Sequence, residues 1–327
     1  MRTSSDLVTC TEEDFRSYVL GTKSSIESEL EGLLSKISDV KLRPLLEFAL
    51  LSNGKRLRPI LTVLSAQSVG GDPKKVEQLA LSFELLHTAT LVHDDIIDED
   101  ICRRGVKTLY SKWFTKGALL AGDALIALSV NLATDFGPEI MKTLSKAGLE
   151  ISDGEYIDAV LPLGSATERQ YFTKIEKKSA SLFRCATSCG ALAAGGTPLE
   201  VEALGKFGEY FGMAYQVNDD LDDLLGKNQI SQDLRNGNVT LPLLYVYRHG
   251  NEAAKELIRR NFGNRNLTLA VMEEVKESME ESGAFRYCRG KIAKYIEKSH
   301  SSLEVIKDSK FKDYLIRFSG YVDEFEG

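Results

Sequence analysis

The chain has 327 residues, 43% of them hydrophobic and 27% charged, with a formal net charge of −7. That is the composition of a folded globular protein with ample core, and its acidic balance disfavours nucleic acid or an anionic membrane as the principal partner. Seven widely spaced prolines favour long helices over a turn-rich β fold, and five cysteines without framework spacing indicate reduced thiols and a cytoplasmic setting.

The N-terminal MRTSSDLVTCTEEDF has no apolar signal core, and no apolar run reaches the length needed to span a bilayer. From Glu12 to Ser38 apolar residues recur every three or four positions, which predicts an amphipathic helix. A second helix over Val40 to Leu51 stops at the breaker cluster Ser52-Asn53-Gly54. Gly54-Lys55-Arg56-Leu57-Arg58-Pro59 follows, with Pro59 suited to the first turn of a third helix. Lys55 and Arg58 then lie beside the positive end of that helix dipole, where anions are favoured.

Gly70-Gly71-Asp72-Pro73 separates this helix from the stretch Leu79 to Gly105, LALSFELLHTATLVHDDIIDEDICRRG. An apolar helix here ends in Asp94, Asp95, Asp98, Glu99 and Asp100. On a helix Asp94 and Asp98 stand one turn apart on the same face, so their charges repel. A cation between them removes the conflict, and a few hard oxygen ligands with positions left for water or phosphate suit Mg²⁺. An irregular segment with Trp113 leads to Gly117, and Ala118 to Leu132 is apolar nearly all round, which predicts a buried helix. Asp123 inside it is either a satisfied structural acid or a site residue.

After Phe136-Gly137-Pro138 a helix carries Glu150, Asp153, Glu155 and Asp158. Leu161 to Thr167 is a loop, and Glu168 to Ala194 is helical, with Lys174, Lys177 and Lys178 near its middle and Cys185 and Cys189 as small buried hydrophobes. Thr197-Pro198 opens the helix that ends in YQVNDDLDDLL, where Asp219, Asp220 and Asp223 repeat the spacing of the first acidic motif. Two acidic helix ends, each approached by an apolar helix, predict that they face one another across a single cavity. Residues 226–238 form a polar connection, and Thr240 to Gly327 reads as about four shorter amphipathic helices. With no β alternation of useful length, no low-complexity tract and no linker, residues 1–327 read as one all-α domain.

A substrate with a diphosphate head and an apolar tail would use every part of this inventory. Mg²⁺ neutralises a leaving diphosphate, Lys and Arg complete the cage, and apolar helices house the tail.

At this point the chain resembles the trans-isoprenyl diphosphate synthases. The likeness runs from Gly54-Lys55-Arg56 through His87, the first acidic motif with Arg103-Arg104-Gly105, Lys178-Ser179-Ala180, Tyr215-Gln216, the second acidic motif and Lys227 to Thr240-Leu241-Pro242. The resemblance implies the isoprenoid synthase fold, a single-domain helical bundle around a large central cavity, a homodimer, and head-to-tail addition of isopentenyl diphosphate to an allylic diphosphate to give a trans-polyprenyl diphosphate. It implies that Asp94, Asp95 and Asp98 hold two Mg²⁺ on the allylic diphosphate and that Asp219 and Asp223 hold a third. Arg103, Lys178 and Lys227 would grip that diphosphate, and Lys55, Arg58, His87 and Arg104 would bind isopentenyl diphosphate. Ser179, where Thr is usual, and Gln216 would line the reacting centre. The family's second loop lysine is replaced here in Gly237-Asn238.

By the same resemblance, bulk four or five residues before the first Asp stops the product early. Those positions are the small Ala89 and Thr90, with Leu85 and Leu86 one turn deeper, about 5 Å, and Ser82 below. The expected product is therefore geranylgeranyl or longer, with geranylfarnesyl to octaprenyl favoured. The competing readings are a non-catalytic partner subunit of the same fold, which usually lacks one acidic motif, and a class I terpene cyclase, which normally lacks the second Asp-rich motif. An EF-hand-like metal protein ranks last, because the loop spacing and glycine are missing.

Overall fold

The computed structural model describes residues 11–51, 54–103, 105–226 and 230–320. Among the described residues fifteen α-helices follow one another: α1 Glu12–Ser35, α2 Arg43–Leu50, α3 Leu57–Ser68, α4 Glu77–Ile97, α5 Leu109–Thr134, α6 Pro138–Val160, α7 Glu168–Ile175, α8 Ser181–Ala193, α9 Pro198–Leu225, α10 Gln232–Asn236, α11 Leu241–His249, α12 Glu252–Asn261, α13 Leu269–Ser282, α14 Ala284–Ser302 and α15 Lys310–Gly320. Two two-residue strands, β1 Cys102–Arg103 and β2 Val106–Lys107, pair antiparallel after α4. The chain divides into two compact units. One comprises Met1–Lys142, Ala186–Gly205 and Leu303–Gly327; the other comprises Thr143–Cys185 and Lys206–Ser302.

In the first unit, α1 starts from a capping box in which Thr11 and Asp14 satisfy each other's backbone N–H. Its Phe15 meets Tyr314 and Phe318 of α15, with ring centroids 5.6 and 6.5 Å apart. The α4–α5 pair is the most extensive packing in this unit. Leu81, Leu85, Ala89 and Val92 share a core with Ala118, Ala121 and Leu125, and Ser129 Oγ donates to the Ser82 carbonyl at 2.8 Å.

Two expectations about α5 change. The irregular segment is helical from Leu109, and only Phe114 breaks it, with φ 59° and ψ 177°. The helix is also not buried all round: Leu119, Leu120, Ile126 and Val130 are exposed on one stripe. By length and composition α5 could cross a membrane, contrary to the sequence reading that no run could. The run reaches that length because Asp123 is the one charged residue between Gly117 and Thr134; α4 covers one face of α5, and the exposed stripe lies on the other.

In the second unit, the stretch from Glu168 onward is not one regular helix. A π-helical segment, Glu176–Ala180, joins α7 to α8. Two glycines let other helices press on it. A Cβ at Gly154 of α6 would sit 2.3 Å from the Lys178 backbone nitrogen, and one at Gly212 of α9 would sit 2.7 Å from Ala180 Cα. Beneath it lies a core of Tyr171, Ile175, Val217, Leu221, Leu241 and Met272.

Candidate active site

The first acidic motif closes α4. Asp94 lies in its last turn, and Asp98 is its C-cap. The C-terminus of a helix is its negative end and disfavours carboxylates, so a neighbouring cation would be favoured there. Asp95 is buried, and Arg103 Nε donates to its Oδ1 at 2.8 Å. Burial raises the Asp95 pKa, and the Arg103 guanidinium offsets only part of that. The hairpin that carries Arg103 is fixed by Thr108, whose hydroxyl donates to the Asp100 carbonyl at 2.6 Å. Arg104 lies outside the described residues.

Lys55 is half-buried and Arg58 buried at the start of α3, as Pro59 in the first turn predicted. Between them Arg56 adopts the left-handed conformation, φ 52°. Its guanidinium is buried, 2.6 Å from Glu84 Oε1 and 2.6 Å from the Leu50 carbonyl oxygen. That pairing marks Arg56 as structural, tying the loop before α3 to α4. His87 is half-buried on α4, and its carbonyl accepts from the Thr90 hydroxyl at 2.7 Å. Of the residues expected to wall the tail, Ser82, Leu85 and Ala89 are completely buried, Leu86 is nearly so and Thr90 is half-buried. Asp123 is not the buried acid that the apolar sequence around it suggested. It is exposed on the open stripe of α5, 3.8 Å from His93 Nε2.

The second acidic motif likewise ends a helix, but its carboxylates diverge. Asp219 is exposed. Asp220 is buried and accepts hydrogen bonds from the Tyr171 hydroxyl at 2.6 Å, Gln216 Nε2 at 3.0 Å and the Leu241 backbone N–H at 3.2 Å. Burial pushes its pKa up to about 6. Asp223 accepts from the Ser231 hydroxyl, from the Gln232 N–H at 2.9 Å and from the Asp233 N–H at 3.3 Å, so it also fastens the start of α10. Ser179 Oγ donates to Gln216 Oε1 at 2.6 Å, which links the reacting-centre candidates to Asp220. Lys227 lies outside the described residues.

Lys178 sits in the π-helical segment, a departure from α-geometry that recurs at functional sites. Its ammonium is 2.6 Å from Glu155 Oε2 and 2.8 Å from Asp158 Oδ2. Sequence reading placed Glu155 and Asp158 on a helix but gave them no role. Their i, i+3 spacing, matched by the i, i+4 lysines Lys174 and Lys178, was the available signal. Tyr171, the buried donor to Asp220, carried no signal in its spacing.

Aspartates are the donors Mg²⁺ prefers. Among the described residues, no three His, Cys, Asp or Glu side chains converge on one point. Mg²⁺ needs only one or two carboxylates where substrate phosphates and water complete its shell, so the acidic motifs fit it.

The polyprenyl synthetase family model matches residues 40–279. A geranylgeranyl pyrophosphate synthase from Geoglobus acetivorans is 33% identical over 310 residues, 91% of this chain and 95% of that protein. An octaprenyl diphosphate synthase from Escherichia coli is 33% identical over 288 residues, 85% of this chain and 88% of that protein. Among solved structures, a polyprenyl synthase from Caulobacter crescentus, crystallised with calcium and isoprenyl diphosphate, superposes with a TM-score of 0.86. It is 29% identical, with 94% of this chain and 96% of that chain covered. The all-helical fold, the two helix-terminal aspartate motifs and these matches agree: the chain belongs to the polyprenyl synthetase family and is a trans-prenyltransferase.

Proposed function

We propose that the protein adds isopentenyl diphosphate head to tail to an allylic diphosphate, giving a trans-polyprenyl diphosphate of geranylgeranyl length or longer, with geranylfarnesyl to octaprenyl favoured. The observation that carries this reading is the placement of an Asp-Asp-x-x-Asp motif at the negative end of each of two long helices, α4 and α9. Both motifs are intact, which favours an enzyme over a partner subunit or a terpene cyclase. The family depends on Mg²⁺. On this reading about three ions bind per site, through Asp94, Asp95 and Asp98 and through Asp219 and Asp223. When bound, Mg²⁺ would neutralise charge on the departing diphosphate.

The chain's own groups orient the two substrates. Arg103, Lys178 and Lys227 hold the allylic diphosphate, and Lys55, Arg58, His87 and Arg104 hold isopentenyl diphosphate. Ser179 and Gln216 turn oxygen dipoles toward the carbon from which the diphosphate departs. No side-chain nucleophile is required: the isopentenyl double bond attacks that carbon, and a proton then leaves the adduct for the released diphosphate. Ser82, Leu85, Leu86, Ala89 and Thr90 form one wall for the growing tail. The whole chain acts as one synthase domain in the cytoplasm, as a homodimer. The exposed apolar stripe of α5, Leu119, Leu120, Ile126 and Val130, supports the dimer because a second copy would cover it.

The test is to incubate the purified protein and Mg²⁺ with labelled isopentenyl diphosphate and, separately, dimethylallyl, farnesyl and geranylgeranyl diphosphates, and to size the products. Elongation to twenty carbons or more is expected, and Asp94→Ala and Asp219→Ala should each reduce turnover at least a hundredfold, about 2.7 kcal/mol of barrier. Absence of elongation, or full turnover in folded Asp94→Ala and Asp219→Ala proteins, would refute the proposal.

A further inference from the structure

Lys174 is a buried cation with no part in the chemistry described so far. Its ammonium is 2.7 Å from Asp158 Oδ1 and 2.7 Å from the Val239 carbonyl oxygen, and its side chain is 6% exposed. The second oxygen of Asp158 accepts from Lys178 Nζ at 2.8 Å, and Lys178 also pairs with Glu155 at 2.6 Å. The four side chains form a row of alternating charge: Lys174, Asp158, Lys178, Glu155. Lys178 is the more open of the two lysines, with 22% of its side chain exposed.

We propose that Lys174 is a positioning residue for the condensation: by occupying one oxygen of Asp158, it keeps that carboxylate from claiming Lys178 and leaves the Lys178 ammonium exchangeable toward a diphosphate. The inference rests on the reading that Lys178 grips the allylic diphosphate. A carboxylate between two ammonium groups divides its attraction between them. Without Lys174, the Asp158 charge is answered by Lys178 alone, in a poorly solvated setting where such pairs are strong. A diphosphate must then break a tighter pair to recruit Lys178. Asp220 and Asp233 also face Lys174; Asp220 has its own donors in Tyr171, Gln216 and Leu241, and Asp233 accepts from Asn238 Nδ2 at 3.4 Å. Asp158 is the carboxylate that Lys174 touches directly, so the loss falls on the Asp158–Lys178 pair.

Steady-state kinetics on the full chain, with each substrate varied in turn, test this. Lys174→Met should raise KM for the allylic diphosphate roughly tenfold, the scale of one charge-assisted hydrogen bond, and leave KM for isopentenyl diphosphate unchanged. Lys174→Arg keeps the charge and should stay near wild type. In the double variant Lys174→Met/Asp158→Asn the competing carboxylate is gone, so the allylic KM should return toward wild type, a rescue that a purely structural role does not give. A double variant as impaired as Lys174→Met, or equal rises in both KM values, would overturn the proposal. If Lys174→Met alone does not fold, because it strands a buried carboxylate, the double variant decides: an allylic KM like wild type upholds the proposal and a raised one overturns it. Lys178→Met, measured alongside, separates the two readings. An unchanged allylic KM in Lys178→Met removes the assignment of Lys178 itself, whereas a rise there without one in Lys174→Met removes only the role of Lys174.

Discussion

Asp158 shows how neighbours overrule burial. Desolvation raises the pKa of a buried carboxylate, but Lys174 and then Lys178 outweigh it and hold Asp158 at about 2. Because the folded value lies below the unfolded one, the stability this group contributes is present above about pH 4 and is lost as pH falls toward 2. The amount is about 2 kcal/mol. Urea midpoints at pH 5 and pH 2.5 should show that decline in the wild type and a smaller one in Lys174→Met/Asp158→Asn. The position of the two acidic motifs at the ends of α4 and α9 was legible in the sequence, because an apolar helix leads to each. The setting of Asp158 was not. Its partners lie 16 and 20 positions along the chain, and Val239, which also holds Lys174, is 65 away from that lysine. The donors that occupy Asp223 are largely backbone N–H groups of the first turn of α10, which no side-chain spacing reveals.

Among the elements, α6 and the π-helical segment make a matched pair. Gly154 is the point of contact, and the atoms its Cβ would meet are backbone, which cannot swing aside. Gly154→Ala should therefore destabilise the protein by about 1–3 kcal/mol and disturb Lys178. Gly148, on the same helix with nothing within 4 Å of its Cβ, serves as the control. Gly148→Ala should stabilise by about 0.4–1 kcal/mol. Thermal melts of the two variants, moving in opposite directions, check the argument. Helix existence was readable: α1 falls where apolar periodicity placed it, α4 where an apolar run placed it, and α6 and α9 begin at the Pro138 and Pro198 breakers that announced them. The π-helical segment was not readable, because one extra residue in a turn is set by what presses on it from α6 and α9. Nor could composition tell whether the apolar residues of α5 meet a core or a partner.

For the molecule as a whole, the open side of α5 carries the prediction. Leu120 is 61% exposed and Ile126 is 36% exposed, on a helix whose other side is packed on α4. If the proposed homodimer forms through this stripe, Leu120→Glu/Ile126→Glu should halve the light-scattering mass, from two chains to one, without loss of helical circular dichroism; an unchanged mass would refute that contact. Phe114 has a mechanical meaning for this same helix. Leu109 to Trp113 is clamped to α2, with the Trp113 ring 5.0 Å from Phe48 and the Lys112 ammonium 4.4–4.5 Å above both rings. Residues beyond Phe114 are clamped to α4 instead. A helix whose hydrogen-bond ladder is interrupted has two axes joined at an elbow. The short arm, Leu109 to Trp113, therefore takes its direction from α2, and the longer arm takes its direction from α4.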